Sequence, residues 1–210
     1  MAGTSKPRIS LRKSPRQARS SDLVSAVLDA AVQVLRKEGA QRFTTARVAE
    51  RAGVSVGSIY QYFPNKAAIL FRVQAEEWQR TTAMLGEILS DTGQPAQTRL
   101  RRMVQAFIRS ECDEAEVRLA LADAAPLYRH ASEIGAVRAE GERLFQSFID
   151  EALPQAPPEQ RELVSDLIQR TFSGVGSSYS EEPRSEAEIE RYASALGDML
   201  CAYLATLGAR

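Results

Sequence analysis

The sequence predicts an all-α fold, and three observations support this prediction. Helix-favouring Ala, Leu, Arg and Glu are abundant among the 210 residues. No run of Val, Ile and Thr alternates with period two, as a half-buried strand would require. No Asn-Gly or Asp-Gly pair stands between apolar stretches, where a β-hairpin would need one. With 44% hydrophobic residues, the chain can bury a core in one domain or two.

The first 18 residues carry five basic side chains, Lys6, Arg8, Arg12, Lys13 and Arg16, with two prolines and no acid. Such a segment cannot bury enough apolar surface to order itself, so residues 1–18 are predicted to form a basic disordered arm. Two interpretations remain open. The arm follows phosphates or enters a minor groove, as homeodomain arms do, or it is a plain disordered tail.

Helix 1 is predicted to begin near Ser20 or Ser21 and to end at Gly39. Its apolar residues recur at helical spacing and form one core face: Leu23, Val27, Leu28, Ala31, Val34 and Leu35. We expect this helix to brace the segment that follows it.

The segment from Phe43 to Lys66 contains two short helices with clear start and stop signals. Thr44 can cap the first helix, which Gly53 ends. Ser55 can cap the second, which is predicted to run through Phe63 because a proline follows. Two such helices joined by a short turn with a glycine are the outline of a helix-turn-helix, whose second helix lies in the DNA major groove. Spacing alone also permits a short amphipathic hairpin inside an ordinary helical domain.

The outward side of the second short helix is uncharged and suits contact with bases. Ser and Gln can hydrogen-bond base edges, Val can touch a thymine methyl group, and glycine lets the backbone approach DNA. The predicted outward residues are Val56, Gly57, Ser58, Gln61 and Tyr62. Cations and hydroxyls around this helix can meet phosphates, which position a protein on the duplex. These are Arg42, Arg47, Arg51, Lys66, Thr45 and Tyr60.

The stretch TTARVAERAGVSVGSIYQYFPNK resembles the signature of TetR-type transcriptional regulators in its paired threonines, its AGVSVGSIYQYF helix and its closing PNK. The resemblance is specific over residues 19–79. It implies a homodimer with an N-terminal three-helix helix-turn-helix DNA-binding domain, residues 19–79 with the motif at 44–63. Residues 80–210 would form a C-terminal helical ligand-binding and dimerisation domain. The predicted DNA-binding residues are Thr44, Thr45, Arg47, Ser55, Val56, Gly57, Ser58, Tyr60, Gln61, Tyr62 and Lys66.

Charge is distributed unevenly, although the chain is neutral as a whole. Residues 1–80 hold 14 Lys and Arg against 6 Asp and Glu, whereas residues 81–210 hold 13 against 21. A basic N-terminal module joined to an acidic C-terminal one is typical of a nucleic-acid binder with a separate regulatory or assembly domain.

Apolar stripes, prolines and glycines predict further helices after the motif. Their approximate ranges are 66–89, a stripe over 100–108, and then 115–125, 131–153, 158–174 and 185–207. The segment 174–185, which is rich in Gly, Ser and Glu, is predicted to be a polar loop.

A small-molecule cavity, if the chain has one, is expected among the four predicted helices from 66–89 to 131–153, where an apolar wall with a few polar points can form. The predicted lining residues are Trp78, Met103, Phe107, Tyr128, Phe145 and Phe148. Aromatic residues at helical spacing are also typical of a plain core, and that alternative stays open.

The last helix is apolar on more than one side, so it must pack against two surfaces. With a partner subunit, the last two helices would form a four-helix bundle. The predicted interface residues are Leu167, Phe172, Leu196, Met199, Leu200 and Tyr203. Burial of this stripe within one chain is the alternative.

Two distant cysteines, Cys112 and Cys201, form no CxxC motif, which predicts reduced thiols in a cytoplasmic protein. The N-terminus has no apolar signal region, and no apolar run approaches the roughly 18 residues of a membrane helix. We therefore expect no membrane partner and a cytoplasmic protein associated with the bacterial nucleoid.

Motif and resemblance together predict a sequence-specific transcriptional regulator, a repressor that binds a palindromic operator as a dimer and is relieved by a ligand. The alternative is a ligand-independent regulator or activator controlled by a protein partner. An enzyme is disfavoured because the chain has one histidine and no HExxH, P-loop or GxSxG motif. The predicted partners are double-stranded DNA, a second copy of the chain and a small-molecule effector; no metal and no cofactor is predicted.

Overall fold

The computed structural model describes residues 9–13, 18–128 and 133–209, and every regular element in these ranges is helical. The helices are α1 (Ala18–Arg42), α2 (Thr45–Ala52), α3 (Val56–Tyr60), α4 (Lys66–Leu89), α5 (Ala96–Asp113), α6 (Ala115–Ala124), a 3₁₀ turn (Ala125–Leu127), α7 (Glu133–Ala152), α8 (Pro158–Tyr179) and α9 (Glu186–Thr206). The predicted all-α fold is confirmed. Two compact units make up the chain: unit 1 comprises the residues up to Trp78 and residues 116–137, and unit 2 comprises residues 79–115 and 138–210.

Local hydrogen bonds fix the ends of the short helices, as predicted. The Thr44 side chain accepts a hydrogen bond from the Arg47 amide at 3.3 Å, and this satisfies a free N–H in the first turn of α2. Gly53 ends α2 in the left-handed region with φ 67°. The Asn65 side chain accepts from the Ala68 amide at 2.9 Å and caps α4.

Two helix ends in the N-terminal module differ from the prediction. Helix α1 begins at Ala18, and Gly39, with φ 72° and ψ 175°, interrupts it before a last helical turn that ends at Arg42. Helix α3 ends at Tyr60 and not at Phe63. The amides of both Tyr62 and Phe63 donate to the Ile59 carbonyl, which closes a turn at this point.

The predicted loop over residues 174–185 is wrong in its first part, because α8 continues to Tyr179. The reason lies in tertiary packing. A Cβ placed on Gly176 would come within 2.7 Å of the Phe107 ring, so only a glycine allows α8 to lie this close to α5. This contact holds the glycine-containing stretch in a helix although its composition favours a loop.

Residues 9–13 of the predicted arm lie against unit 1. Ile9 lies in the core of unit 1, and Leu11 packs against the same cluster. The composition of the arm is polar on average, but two apolar side chains are sufficient to anchor this stretch. Lys6, Arg8 and Arg16 lie outside the described residues.

The core of unit 1 joins α1, α2, α3 and the first half of α4. Phe43 and Phe63 lie at the two ends of the motif and are fully buried. Burial of an aromatic side chain of this size contributes roughly 1.5–3 kcal/mol relative to exposure. Val27, Val48 and Ile59 fill the space between the helices. The helix-turn-helix therefore has a core of its own, which α1 braces as predicted.

Helix α6 belongs to unit 1 through a buried ion pair. Glu77 of α4 and Arg118 of α6 lie 2.6 Å apart, and the Glu77 side chain is almost inaccessible to water. The Phe71 and Tyr128 rings meet edge to face with centroids 6.0 Å apart. The Tyr128 hydroxyl donates to the Leu121 carbonyl at 3.1 Å. Burial raises the pKa of this phenol, and the nearby Glu77 charge raises it further. These contacts make residues 116–128 part of the N-terminal unit.

The core of unit 2 is formed mainly by α5 packed against α8 and α9. The Phe107 and Phe172 rings meet edge to face at 4.7 Å, and Phe145 lies 6.0 Å from Phe172. Arg99 is a charged residue inside this core, bound through its guanidinium to the Glu151 carboxylate and to the Leu89 carbonyl. This pairing compensates part of the cost of burying a charge.

Candidate nucleic-acid interface

Helix α3 presents a small, uncharged and exposed surface. Val56 and Tyr60 are among the large apolar side chains that unit 1 leaves exposed, at 37% and 40%. Gly57 and Gln61 are exposed beside them, while Ser58 and Tyr62 are half-buried. Ile59 alone points into the core and attaches the helix to the unit. The surface offers methyl, amide and phenol groups, which suit contacts with base edges.

Two serines start this helix and bind each other. The Ser55 hydroxyl accepts from the Ser58 amide at 3.0 Å and lies 2.8 Å from the Ser58 hydroxyl. Ser55 is therefore the N-cap, as predicted, and the Ser58 hydroxyl already has a protein partner. A base or phosphate contact by either hydroxyl would have to share that hydrogen bond.

The paired threonines have unlike positions. Thr44 is exposed and caps α2, whereas Thr45 is 9% exposed and packs inside unit 1. The burial of Thr45 favours a packing role over the predicted phosphate contact. Its hydroxyl is therefore the weakest of the predicted DNA contacts on structural grounds.

The four predicted phosphate cations fall into two pairs. Arg47 forms an ion pair with Glu38 and donates to the Arg42 carbonyl at 3.4 Å. The Arg51 Nε donates to the Gln33 side-chain oxygen at 2.5 Å. Arg42 and Lys66 are exposed, and within the described ranges their side chains form no ion pair. Arg42 and Lys66 are thus the two cations of this set that are ready to meet phosphates.

The residues of the motif do not predict one contact near α3, which the N-terminal segment makes. The main-chain amide of Arg12 donates to the Tyr62 carbonyl at 2.8 Å, so the N-terminal segment lies against the end of the motif. In the sequence, this contact is indicated by the apolar residue Ile9 within a basic stretch. In the structure, Ile9 is buried in the core of unit 1.

The predicted ligand-lining residues are divided between the two units. Trp78 and Tyr128 belong to unit 1, whereas Met103, Phe107, Phe145 and Phe148 lie in the core of unit 2. The aromatic rings of unit 2 pack on one another. Binding of a ligand by these residues stays a prediction.

Half of the predicted dimer residues are already buried inside one chain. Phe172, Leu196 and Leu200 lie in the core of unit 2, so they have little surface to offer to a partner. Tyr203 is half-buried. Leu167 and Met199 are exposed at 45% and 53%. Leu163 of α8 and Tyr192 of α9, which were not among the predicted interface residues, are also exposed.

The described residues contain no group of three or more His, Cys, Asp or Glu side chains that could hold a metal ion. Among the helices that the structure describes, none combines the length and apolarity needed to cross a membrane.

Two family models match this sequence. Residues 27–73 match the model described as bacterial regulatory proteins, tetR family, and residues 95–207 match the tetracyclin repressor-like C-terminal domain. The second match alone covers more than half of the chain.

Named relatives match shorter parts of the chain. The HTH-type transcriptional repressor KstR of Mycolicibacterium smegmatis is 36% identical over 84 residues, which are 40% of this chain and 41% of that protein. The fatty acid metabolism regulator protein of Bacillus subtilis is 39% identical over 51 residues, 24% of this chain and 26% of that protein. The matched part is thus less than half the length of these curated relatives.

Solved structures share the fold over most of the chain. A TetR-family transcriptional regulator from Mesorhizobium loti has a TM-score of 0.70 at 16% identity, covering 89% of this chain and 98% of that chain. The fatty acid degradation regulator FadR from Bacillus halodurans has a TM-score of 0.63 at 18% identity, covering 91% and 96%. These identities are low and show the fold alone. The two family models, however, establish that the chain belongs to the TetR family of bacterial regulatory proteins.

Proposed function

We propose that this protein is a sequence-specific DNA-binding transcriptional regulator, a repressor that binds a palindromic operator as a homodimer. The supporting observation is the α3 surface. It is exposed and uncharged, a serine cap fixes its start, and the free cations Arg42 and Lys66 belong to the same unit. Bases can be contacted by α3 while the cations hold the phosphates on either side. Such a protein acts at the nucleoid, where its operator lies.

Gln61 and Lys66 have different tasks in this proposal. Gln61 is exposed at the C-terminal end of α3 and can form a bidentate hydrogen bond with adenine in the major groove. Lys66 is the first residue of α4 and can bind a phosphate as a point charge. The contact by Gln61 depends on the DNA sequence, whereas the contact by Lys66 does not.

Selection of bound DNA from a random pool tests the proposal. We expect a palindrome with half-sites about one helical turn, ~34–36 Å, or a multiple of it, apart. Affinity is then measured at several salt concentrations for the selected site and for random DNA. Gln61→Ala should relax preference at one base position of each half-site by about 1–3 kcal/mol, whereas Lys66→Ala should weaken binding to all sequences and reduce the salt slope by about one per protomer, roughly two per dimer. No enrichment of any site would exclude a sequence-specific regulator, and equal losses on both DNAs for Gln61→Ala would exclude a base contact by Gln61.

Dimerisation through α8 and α9 is the second part of the proposal. Leu163 and Leu167 of α8 and Tyr192 and Met199 of α9 are exposed apolar residues. Exposed apolar residues are candidates for a protein interface when a partner covers them. Leu167→Glu should therefore shift the protein to monomers in sedimentation velocity and abolish cooperative operator binding. Leu119→Glu is the matched control, since Leu119 is an exposed leucine of α6 in unit 1. Equal dissociation by both variants would contradict an interface on α8 and α9.

We further propose that a small apolar molecule relieves repression. Helix α4 includes residues of unit 1 up to Trp78 and residues of unit 2 from Gln79. A ligand can release DNA only to the extent that it prefers the conformation with wrongly placed α3 helices. The predicted lining is apolar, and the Bacillus subtilis relative is named as a regulator of fatty acid metabolism. Fatty acids and acyl thioesters are therefore the first probes for release of labelled operator.

One observation favours the alternative, a regulator without a small ligand that is controlled by a protein partner. The Phe107, Phe145 and Phe172 rings already pack against one another in unit 2. Phe107→Ala separates the two possibilities. It should weaken release by an active compound if the compound binds there, while operator affinity without compound stays the same. If no compound in a broad apolar panel changes operator affinity, control by a partner is the better account.

A further inference from the structure

The N-terminal segment 9–13 is attached to the DNA-binding module at two points. The first is the Ile9 side chain, which is 4% exposed and belongs to the core cluster that also contains Phe43 and Ile59. Leu11 packs on the same cluster from a half-buried position. This short stretch therefore has a fixed position on unit 1 that its basic composition does not predict.

The second point is a main-chain hydrogen bond at the end of the motif. The Arg12 amide donates to the Tyr62 carbonyl at 2.8 Å. Tyr62 lies two residues after the last residue of α3, and Pro64, which has no amide hydrogen, follows soon after. The segment thus supplies a donor to a carbonyl beyond the helix end, and it places Arg12 beside the residues that are proposed to contact bases.

Residues 9–13 contain cations, whereas α3 has no charged side chain. Residues 55–62 contain no charged side chain. Arg47 and Arg51 of the preceding helix are engaged with Glu38 and Gln33. Arg12 and Lys13 are exposed, and within the described parts of the chain they form no ion pair. Arg12 and Lys13 therefore add two cations at the C-terminal end of α3, where Lys66 is the exposed cation that the motif segment supplies.

We propose that residues 9–13 are a docked part of the DNA-binding surface. Ile9 and the Arg12 amide hold the segment against the end of α3. The side chains of Arg12 and Lys13 bind backbone phosphates of double-stranded DNA beside the bases that α3 contacts. Because the segment is fixed before DNA arrives, little conformational entropy is lost when these contacts form. This inference rests on the proposed DNA-binding function.

Salt dependence of operator binding tests the phosphate contacts. Each neutralised phosphate contributes about 0.9 to the slope of log K against log salt concentration, so Arg12→Ala with Lys13→Ala should reduce the slope by roughly 2 per protomer and roughly 4 per dimer. Affinity for operator and for random DNA should fall by the same factor. The matched control is Arg143→Ala with Arg191→Ala, which removes the same charge from exposed positions of unit 2. We expect its slope to equal that of the unaltered protein.

Hydrogen exchange on the full-length protein without DNA tests the docking. The Arg12 amide should be protected, and Ile9→Asp should abolish that protection while the amides of α2 keep theirs. A fully exposed Arg12 amide, or a salt slope unchanged in the double variant, would overturn the inference. If the unaltered protein bound no DNA at all, the proposed function would fail instead. Normal DNA binding with an unchanged slope in the double variant would refute only the role of the segment.

Discussion

The α2 and α3 module of unit 1 and the bundle of α5, α8 and α9 in unit 2 keep their shapes through different kinds of contact. Within the module, the hydrogen bonds of Thr44, Ser55 and Asn65 each reach an amide three residues ahead. Within the bundle, the buried Phe107 and Phe172 rings pack edge to face although they lie far apart in the sequence. Local contacts specify the DNA-facing module, whereas contacts between distant residues specify the bundle.

This difference predicts how each region responds to substitution. Loss of a cap affects one helix end and costs about 1 kcal/mol, because the rest of the module keeps its own contacts. Loss of a contact between distant helices leaves a buried group without its partner or forces two helices apart, and both effects are larger. The tests below run from the largest expected effect to the smallest.

The buried Arg99 should give the largest effect. Removing Glu151 leaves a guanidinium in the core whose Nε already has no hydrogen-bond partner in the described part of the chain. We expect Glu151→Ala to lower the free energy of unfolding by about 2–4 kcal/mol, a range reduced because the Glu151 carboxylate is half exposed. Arg99→Met should cost less, about 1–2 kcal/mol, because it removes the buried charge and leaves only the Leu89 carbonyl without its donor.

Urea unfolding, monitored by circular dichroism, measures the free energy of unfolding of both variants. The order of the two losses is the critical result. A greater loss for Arg99→Met than for Glu151→Ala would show that the ion pair itself stabilises the bundle, contrary to the expectation that the stranded charge is the main cost.

The close approach of α5 and α8 gives the second test. Gly176→Ala places a methyl group 2.7 Å from the Phe107 ring, which is itself held by Phe172, so the helices must separate. We expect a loss of about 1–3 kcal/mol in the free energy of unfolding. Gly174→Ala is the control, because a Cβ there meets nothing within 4 Å of its own chain. It should stabilise the helix by roughly 0.5–1 kcal/mol.

Both glycine variants are first compared with the unaltered protein by gel filtration, so that a change of assembly is not mistaken for a change of fold. If Gly176→Ala lowers the free energy of unfolding and Gly174→Ala raises it, packing outweighs helix propensity at one of two glycines that lie only two residues apart. Equal effects would mean that helix propensity, and not the contact with Phe107, controls this part of α8.

Substitution of Ser55 tests the effect of losing one local contact, the N-cap of α3. Ser55→Ala removes the acceptor for the Ser58 amide and should cost about 1 kcal/mol of stability. Operator binding should fall further than stability requires, since the start of α3 is no longer fixed. Ser55→Asn restores the cap without adding a negative charge beside the DNA and should recover stability, as measured by thermal unfolding. Full recovery of stability without any recovery of operator binding would indicate that the Ser55 hydroxyl itself contacts DNA.

The same division explains how much the sequence could predict. The starts of α2 and α3, their caps Thr44 and Ser55 and the stop at Gly53 were predicted correctly, because every signal lies within a few residues of the group it acts on. The end of α3 was placed too late, since Pro64 indicates where a helix must stop and not where it does stop. Composition carries no signal for the burial of Ile9, because an average over 18 residues hides one side chain that reaches the core.

The sequence does not show which surface covers an apolar stripe. Phe172 and Leu200 lie at helical spacing with exposed residues, but they pack inside their own chain, while the unpredicted Leu163 is exposed. A helical stripe indicates that a residue is apolar and not which surface covers it. No motif predicts the buried Arg99 either, because its partner Glu151 lies 52 positions away.

The start of α9 should give the smallest effect, because it is a local cap within the region of long-range contacts. The Ser185 hydroxyl and amide both donate to Glu188, and these hydrogen bonds lower the pKa of that carboxyl group. A lowered pKa in the folded state means that the cap stabilises the protein above the ordinary glutamate pKa of about 4.3, and that this gain is lost as pH falls through the folded value.

The stability difference between the unaltered protein and Ser185→Ala should therefore be constant near neutral pH and shrink as pH falls below about 4. Urea midpoints at neutral and acid pH measure it. Glu190→Gln is the control, since it removes an exposed carboxylate from the same helix outside the capping box. A difference that did not shrink in acid would show that the Ser185 hydroxyl stabilises α9 through the backbone amides alone. A difference as large as that of Glu151→Ala would contradict the distinction between local and long-range contacts, because a solvent-exposed cap would then matter as much as a buried charge.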